Sequence, residues 1–366
     1  MTFRYIGSKA RLTVPLARAI EALDDGTGRF VDAFSGTGAV AELAASLGWP
    51  VWANDALESA IVMTAARLAS VAEVRMAQLG GYADAVERLN SLKPSEGPMW
   101  RIYSPASARF DSDRIERRYF TERNAAAIDA VRAQIAEWAD DGLLTDREEQ
   151  LLIADLISAA NRVANIAGTY GCFLSKWQDS AHHPLQLRPR ELKKDASELV
   201  TTVADVAELR PASDDLVYLD PPYTKRQYAS YYHILETIVV GDQPDVEGVS
   251  GLRPWKDKAS AFCYKTRALD ALVSLVERVV SRRVLISYSC EGHVDLDDLC
   301  AGLERSGTIE CTPVHGVGRY RPNRTASANG DSVTEYVLSF TRGGENRVEF
   351  EEPMRGGHCE FQELAT

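Results

Sequence analysis

Residues 28–55 read GRFVDAFSGTGAVAELAASLGWPVWAND, and this stretch decides the fold. Residues 28–34 predict a buried strand, and Ser35-Gly36-Thr37-Gly38 predicts a tight turn. An alanine-rich helix is expected over 39–47, followed by a second strand over 51–54. A strand, turn, helix and strand at this spacing predict a βαβ unit, and therefore a parallel sheet in an α/β fold.

The glycine-rich turn in this stretch predicts a nucleoside-type cofactor. Gly36 and Gly38 let the backbone approach a ligand closely, and the N-terminus of the next helix offers free N–H groups. Asp55 closes the second strand, where a carboxylate can hold the two hydroxyls of a ribose. The spacing Gly36-x-Gly38-x-x-Ala41 also fits a dinucleotide fingerprint. S-adenosyl-L-methionine (AdoMet) and a dinucleotide both stay open on this segment alone.

A second motif, Asp220-Pro221-Pro222-Tyr223, directly follows the apolar run at 216–219. That run predicts a strand, so the motif lies where the strand leaves the sheet. The prolines fix φ and remove two N–H donors, which holds the Asp220 carboxylate and the Pro221 carbonyl together beside an aromatic ring. Two acceptors and a ring suit an exocyclic amine, either N6 of adenine or N4 of cytosine. An ordinary turn also explains these residue types.

The rest of the chain predicts a helical segment between the two motifs and further sheet after the second. Residues 93–123 are loop-rich, and residues 198–206 fit either a helix or a strand. Thr145 is expected to cap a helix together with Glu148. We expect helices over 57–92, 125–138, 145–166, 228–238 and 268–280, a strand over 283–288, and an antiparallel hairpin of 309–314 with 333–340.

Composition bounds the class of protein. The chain has 366 residues with 45% apolar and 26% charged side chains, which is ordinary for a globular protein. We expect no membrane span and a cytoplasmic location, because no long apolar run and no signal-peptide core are present. The six cysteines form no C-x-x-C pair and the six histidines have no zinc spacing, so no metal is expected.

Charge is distributed unevenly along the chain. A net charge of −12 argues mildly against a nucleic-acid partner. However, residues 344–366 hold six Glu against two Arg and resemble an acidic tail, whereas residues 101–123 hold six Arg. The local charge therefore permits DNA binding.

The ordered set of motifs resembles a known family. Tyr5-Ile6-Gly7-Ser8-Lys9, then Asp32 to Gly38, then Asp55, then Asp220 to Tyr223 is similar to the Dam-type DNA amino-methyltransferases of the α-group arrangement. Residues 286–292, ISYSCEG, also resemble a segment that these enzymes carry after the catalytic motif. The likeness covers the catalytic half, and the helical segment matches by position alone.

This resemblance implies a fold and a division of the chain. The fold is a Rossmann-like AdoMet-dependent methyltransferase sheet, mixed but mostly parallel, with a C-terminal antiparallel hairpin and a mostly helical insert. Residues 1–70 and 190–343 would form the catalytic domain, residues 71–189 the target-recognition insert, and residues 344–366 the acidic tail.

The resemblance also implies the roles of site residues. AdoMet is the implied cofactor, with Tyr5 and Lys9 along its methionine portion and Asp55 on its ribose. The loop beneath it would contain Asp32, Phe34, Gly36 and Gly38, and a looser match places Asp205 near its adenine. In the catalytic motif Asp220, which also borders the cofactor, and the Pro221 carbonyl would accept hydrogen bonds from the target amine, Pro222 would stiffen the turn, and Tyr223 would stack on the base.

The implied substrate is an adenine flipped out of duplex DNA, with a cytosine N4 amine or an RNA adenine as alternatives. No restriction activity is expected in the chain, so a cognate endonuclease would be a separate protein, and both a monomer and a dimer stay open. Candidate DNA contacts are the basic residues Arg114, Arg117, Arg118, Lys225, Arg226, Arg321 and Arg324. For most of these a solvated surface explains the charge equally well.

Overall fold

The structure is a computed structural model, and it describes residues 9, 12–318 and 332–343. Four of the predictions above fall outside these residues: the roles of Tyr5, Arg321 and Arg324, and the acidic tail at 344–366.

The described residues contain one seven-stranded sheet with the order β3-β2-β1-β4-β5-β7-β6. The first five strands in this order are parallel, and β7 is antiparallel to both of its neighbours. The predicted mixed sheet with a C-terminal antiparallel hairpin is therefore confirmed. The strands are β1 (Phe30–Asp32), β2 (Val51–Asp55), β3 (Leu199–Val203), β4 (Leu216–Leu219), β5 (Arg283–Ser289), β6 (Gly307–Gly318) and β7 (Ser332–Arg342).

Helices cover the sheet and build the insert. In chain order they are α1 (Thr13–Ala22), α2 (Ala39–Ser46), α3 (Glu58–Leu68), α4 (Tyr82–Asn90), α5 (Pro98–Tyr103), α6 (Glu122–Asp140), α7 (Asp146–Val163), α8 (Tyr228–Tyr231), α9 (His233–Val240), α10 (Ala268–Arg278) and α11 (Leu296–Leu303). Within the described ranges, none of these helices is long and apolar enough to cross a lipid bilayer.

Because successive side chains of a strand point to opposite faces of the sheet, the two faces contribute to two separate hydrophobic cores. Val31 and Val217 pack with residues of α10 and α11 on one face. Phe30 and Leu216 pack with residues of α1 and α2 on the other. Since both faces are covered, the central parallel strands are largely apolar, as sheets of this kind require.

The strand order reverses direction between β1 and β4, which lie side by side. The chain runs outward from β1 to β3, returns to β4 beside β1, and then runs outward on the other side. Crossover connections diverge at such a point and leave a crevice beyond the carboxyl ends of the strands. The residues that follow β1 and β4 are therefore placed at one crevice.

A third core joins the helical insert to the catalytic sheet layer. Its buried residues come from α3 and α9 as well as from α5, α6 and α7, and they include Tyr103, Tyr119, Leu151 and Tyr232. His233 on α9 lies inside this core, with Nε2 3.0 Å from the carbonyl oxygen of Tyr170. The division at residues 71 and 189 stays a prediction, and the insert packs directly on the helix that follows the catalytic motif.

Several predicted elements need correction. The helix expected over 57–92 is wrong in its middle, because α3 ends at Leu68 and α4 begins at Tyr82. Ser70 bonds to Glu73, and Gly80 and Gly81 adopt positive φ, which ends helical geometry there. The loop-rich region also contains α5, and the helix expected over 228–238 is split into α8 and α9.

Other local predictions are confirmed. Thr145 and Glu148 form the expected capping box at the start of α7. Residues 198–206, which fitted two interpretations, contain the edge strand β3. The hairpin of β6 and β7 pairs antiparallel, with an irregularity between Val314 and Val317.

Candidate active site

A cavity of about 560 Å³ opens at the carboxyl ends of β1 and β4. This volume lies within the range of small-molecule sites, which is about 300–1,000 Å³. The cavity is lined by these residues that the sequence singled out: Lys9, Asp32, Phe34, Gly36, Asp55, Asp205, Asp220 and Pro222. The crossover point of the sheet has therefore brought together residues more than 200 positions apart in the chain.

The glycine turn after β1 is shaped by a close approach to α3. Gly38 has φ +74°, and a Cβ added there would meet the Thr64 Cα at 2.8 Å. The Gly38 N–H donates to the Ser35 carbonyl at 2.7 Å, which closes the turn. Only glycine fits a left-handed position with backbone this near.

Asp55 is fixed at the end of β2 by two backbone donors. Its Oδ2 accepts from the Gly36 N–H at 3.0 Å, and its Oδ1 accepts from the Leu57 N–H at 3.0 Å. Burial raises the pKa of Asp55 to about 6, although these N–H groups act in the opposite direction. Each carboxylate oxygen retains acceptor capacity, so Asp55 can also bind hydroxyl groups inside the cavity.

Glu236 supports this region from α9, and the sequence motifs did not indicate it. Its carboxylate accepts the Ser59 N–H at 2.8 Å and the Glu58 N–H at 3.3 Å. Lys258 lies 3.2 Å from the same carboxylate. A residue that follows the catalytic motif thus holds the first turn of α3, which itself follows Asp55.

Asp32 lies at the base of the cavity and is 1% exposed. Its Oδ1 has no hydrogen-bond partner among the described residues. Burial, followed by the charges of Asp220 and Asp55, raises the pKa of Asp32 to about 8. Because this raised pKa favours the neutral acid near pH 7, a cation that enters the cavity would stabilise the ionised form of Asp32.

Lys9 carries positive charge to the catalytic motif. Its Nζ lies 3.1 Å from Asp220 Oδ1 and 5.1 Å from the centre of the Tyr223 ring. Burial opposes the charged form, but Asp220 and its neighbours outweigh it and hold the pKa of Lys9 above its ordinary value. Burial raises the pKa of Asp220, and Lys9 limits that rise.

The motif itself forms a rigid turn with one aromatic face. Pro221 is buried, and Pro222 lines the cavity. The Tyr223 ring packs edge-on against Tyr288 at 5.7 Å, and the Tyr223 carbonyl accepts the His293 N–H at 2.9 Å. A residue of β5 therefore packs against the Tyr223 ring, and a residue after β5 holds its backbone.

Asp205 lies at the outer part of the cavity, directly beyond β3. It is exposed, and its Oδ1 accepts the Ala207 N–H at 2.8 Å. This position agrees with the loose match made from the sequence, although the same hydrogen bond also caps a short 3₁₀ helix.

The basic candidates separate into exposed and buried side chains. Lys225 and Arg226 are exposed directly after the motif, and Arg114 is exposed in the insert with φ +53°. Arg118 is 34% exposed, and its guanidinium donates to Glu116 and to the Ser175 carbonyl.

Arg117 does not fit a DNA contact in this structure. Its side chain is 4% exposed and forms an ion pair of 2.6 Å with Asp111. The same guanidinium donates to the carbonyls of Val249 and Gly248. Burial among these acceptors removes it from any phosphate, so the prediction for Arg117 is corrected to a structural role.

Within the described part of the chain, no group of three or more His, Cys, Asp or Glu residues is arranged to hold a metal ion. The carboxylates of the cavity are spread over β1, β2 and β4 instead.

The sheet order and this cavity define an α/β protein with a cavity of small-molecule size at the crossover point of its sheet. The chain belongs to the D12 class of N6 adenine-specific DNA methyltransferases, whose family model matches residues 5–288. The match spans the glycine turn, the insert and the Asp220–Tyr223 motif, so the dinucleotide alternative is excluded.

Characterised relatives extend the similarity over most of the chain. The type II methyltransferase M.NlaIII of Neisseria lactamica is 31% identical over 343 residues, which cover 91% of this chain and 97% of the relative. M.FokI of Planomicrobium okeanokoites is 30% identical over 342 residues, 92% of this chain and 52% of the relative. The modification methylase StsI of Streptococcus sanguinis is 30% identical, and 45% of it is covered. The chain thus spans about half the length of M.FokI and StsI.

The structure also adds Glu335, which sequence reasoning missed. This residue of β7 lies opposite Ser289 of β5, and its Oε2 is 3.6 Å from the Lys9 Nζ. No local motif marks it, because it lies in an ordinary strand pattern. Only the antiparallel register of β7 brings it to the site.

Proposed function

We propose that this protein transfers a methyl group from AdoMet to the N6 amine of an adenine in duplex DNA. The observation that carries the proposal is the position of the Asp220–Tyr223 turn. It leaves β4 beside the glycine turn of β1, so an amine acceptor and a nucleoside-sized cavity share one crevice.

The chemistry of the cavity fits AdoMet. This cofactor supplies a methyl group bound to a positively charged sulfonium, and it also carries an ammonium group. The unpartnered Asp32 Oδ1 would accept from the ammonium, and Asp55 would accept from the ribose hydroxyls. Phe34, which packs edge-on against Phe262 at 5.6 Å, supplies an apolar wall. The glycines keep the turn open for the ligand.

Asp220 would orient the amine. Hydrogen bonds from N6 to the Asp220 carboxylate and to the Pro221 carbonyl place electron density on the nitrogen and direct its lone pair at the methyl group. AdoMet would supply the methyl group from its sulfonium, so the N–C bond would form as the S–C bond breaks and the electron pair would return to sulfur. The amine would then lose one proton, and the Asp220 carboxylate that binds it would accept that proton. Much of the rate comes from this positioning.

The target base would reach the site by leaving the duplex, at a cost of a few kcal/mol. Stacking on Tyr223 would return about 1–3 kcal/mol. The Tyr288 contact holds the Tyr223 ring in place before the base arrives, which lowers the entropy cost of stacking.

DNA would contact the exposed basic residues near the site. Lys225 and Arg226 follow the catalytic turn directly, and we assign them to phosphates beside the flipped base. Arg114 and Arg118 of the insert would add contacts further along the duplex. The relatives are named type II methyltransferases and modification methylases, so we extend to this chain a role in protecting DNA from a separate restriction endonuclease.

Adenine is favoured over cytosine because the family is adenine-specific. The cytosine N4 amine would need the same acceptors, and an RNA adenine would need the same pocket. The experiment is to incubate the purified chain with labelled AdoMet and unmodified duplex DNA, and to map the modified bases. We expect N6-methyladenine at one short sequence. Methylated cytosine, or label in RNA alone, would refute the proposal.

A further inference from the structure

Lys9 contacts one oxygen of Asp220, the carboxylate that the proposed reaction needs. Its Nζ is 3.1 Å from Asp220 Oδ1, and the Lys9 side chain is 6% exposed. The positive charge of Lys9 draws electron density from the Asp220 carboxylate, so this contact weakens Asp220 as an acceptor for the incoming amine. The free protein therefore holds Asp220 in a state less suited to catalysis than an unpaired carboxylate.

Glu335 is a second anion within reach of the same ammonium group. Its Oε2 lies 3.6 Å from the Lys9 Nζ and has no hydrogen-bond partner among the described residues. The residue is 9% exposed. An unbonded carboxylate oxygen is costly at this burial, and no other described contact of Oε2 offsets that cost.

The surroundings fix Glu335 in place. It is paired with Ser289 across the β5–β7 ladder, and the Ser289 hydroxyl accepts the Glu291 N–H at 3.4 Å. Burial raises the pKa of Glu335, and the charge of Lys9 and the Ser289 hydroxyl act against that rise. The backbone of Glu335 is thus held in a paired strand, whereas the Lys9 ammonium lies at the end of a flexible aliphatic side chain.

We propose that Glu335 is a positioning residue that takes the Lys9 ammonium from Asp220 when the target base enters. The ammonium moves by about 0.7 Å, from 3.6 Å to the roughly 2.9 Å of a charge-assisted hydrogen bond. Asp220 then accepts the amine and afterwards its proton, and Lys9 stays paired throughout. This inference rests on the proposed methyltransferase function and adds a residue to it.

The test is a double-mutant cycle between Glu335 and Lys9. We expect Glu335→Gln to lower kcat at least ten-fold, with KM for AdoMet changed less than two-fold. In a Lys9→Met background the same substitution should change kcat less than two-fold, because Glu335 acts only through Lys9. Glu335→Asp, which keeps the charge, should recover at least a third of wild-type kcat even if Glu335→Gln is poorly folded.

Glu310→Gln is the matched control, since it removes an exposed carboxylate from β6, the other strand of the same hairpin. It should keep wild-type kcat. Wild-type kcat in Glu335→Gln, or an equal loss in both Lys9 backgrounds, would overturn the inference and leave the methyltransferase function intact. The cycle can be measured with whichever exocyclic amine the wild-type chain methylates. A wild-type chain that methylates no amine would overturn both the role of Glu335 and the proposed function.

Discussion

Gly38→Ala tests whether the glycine turn is shaped by close contact with α3. The left-handed φ of +74° costs a residue with a Cβ about 1–2 kcal/mol. The new Cβ would also lie 2.8 Å from the Thr64 Cα, a backbone atom that cannot rotate away, and such overpacking costs about 1–3 kcal/mol. We expect the free energy of unfolding to fall by about 2–5 kcal/mol in total.

Gly48→Ala separates the two contributions. Gly38 precedes α2 and Gly48 follows it. Gly48 also has a positive φ, +91°, but a Cβ there would meet nothing within 4 Å. Denaturant unfolding should therefore show only the backbone cost in Gly48→Ala, about 1–2 kcal/mol. AdoMet affinity, measured by titration calorimetry, should fall in Gly38→Ala and stay unchanged in the control. Equal losses of stability in the two variants would refute the close-contact argument.

Further predictions concern the buried side chains of His233 and Arg117 and the exposed side chain of Arg114. Burial lowers the pKa of His233 from 6.5 to about 3. The unfolded chain therefore binds a proton below pH 6.5 that the folded protein does not bind, and the free energy of unfolding falls as the pH drops from 6.5 towards 3. His233→Asn should reduce the slope of unfolding free energy against pH between 6 and 4 by about 1.4 kcal/mol per pH unit, measured by denaturation at each pH, and an unchanged slope would contradict this. Arg117→Ala should cost about 3 kcal/mol of stability, because it removes the buried guanidinium that pairs with Asp111 and donates to two backbone carbonyls. Arg114→Ala should leave the free energy of unfolding unchanged and reduce the slope of log K for DNA binding against log salt concentration by about 0.9. A loss of stability in Arg114→Ala with an unchanged slope, and a reduced slope without a loss of stability in Arg117→Ala, would reverse the structural role of Arg117 and the DNA contact of Arg114.

The sequence predicted the site well where chemistry is concentrated in short motifs. Asp32, Asp55 and Asp220 each directly end or follow a strand, and parallel strands bring their carboxyl ends to one edge. Strand prediction and motif order were therefore sufficient to place them together. Thr145 and Glu148 were predictable for a similar reason, since a capping box is a local interaction.

Residues that act through tertiary contacts were not predictable in this way. Glu335 reaches Lys9 only because β7 pairs antiparallel with β5, and Glu236 reaches α3 across a packed interface. Arg117 lies in a basic stretch whose composition suggests a solvated or DNA-facing surface. Its burial depends on Asp111 and on carbonyls of residues 248 and 249, which are about 130 residues away in the chain.

We propose that Asp220 orients the amine while other residues hold the cofactor. The most direct measurement is single-turnover methyl transfer by Asp220→Ala, with AdoMet and DNA binding measured on the same preparation. We expect no detectable methyl transfer, retained binding of AdoMet and DNA, and a folded protein by thermal unfolding. Methyl transfer near the wild-type rate would contradict it.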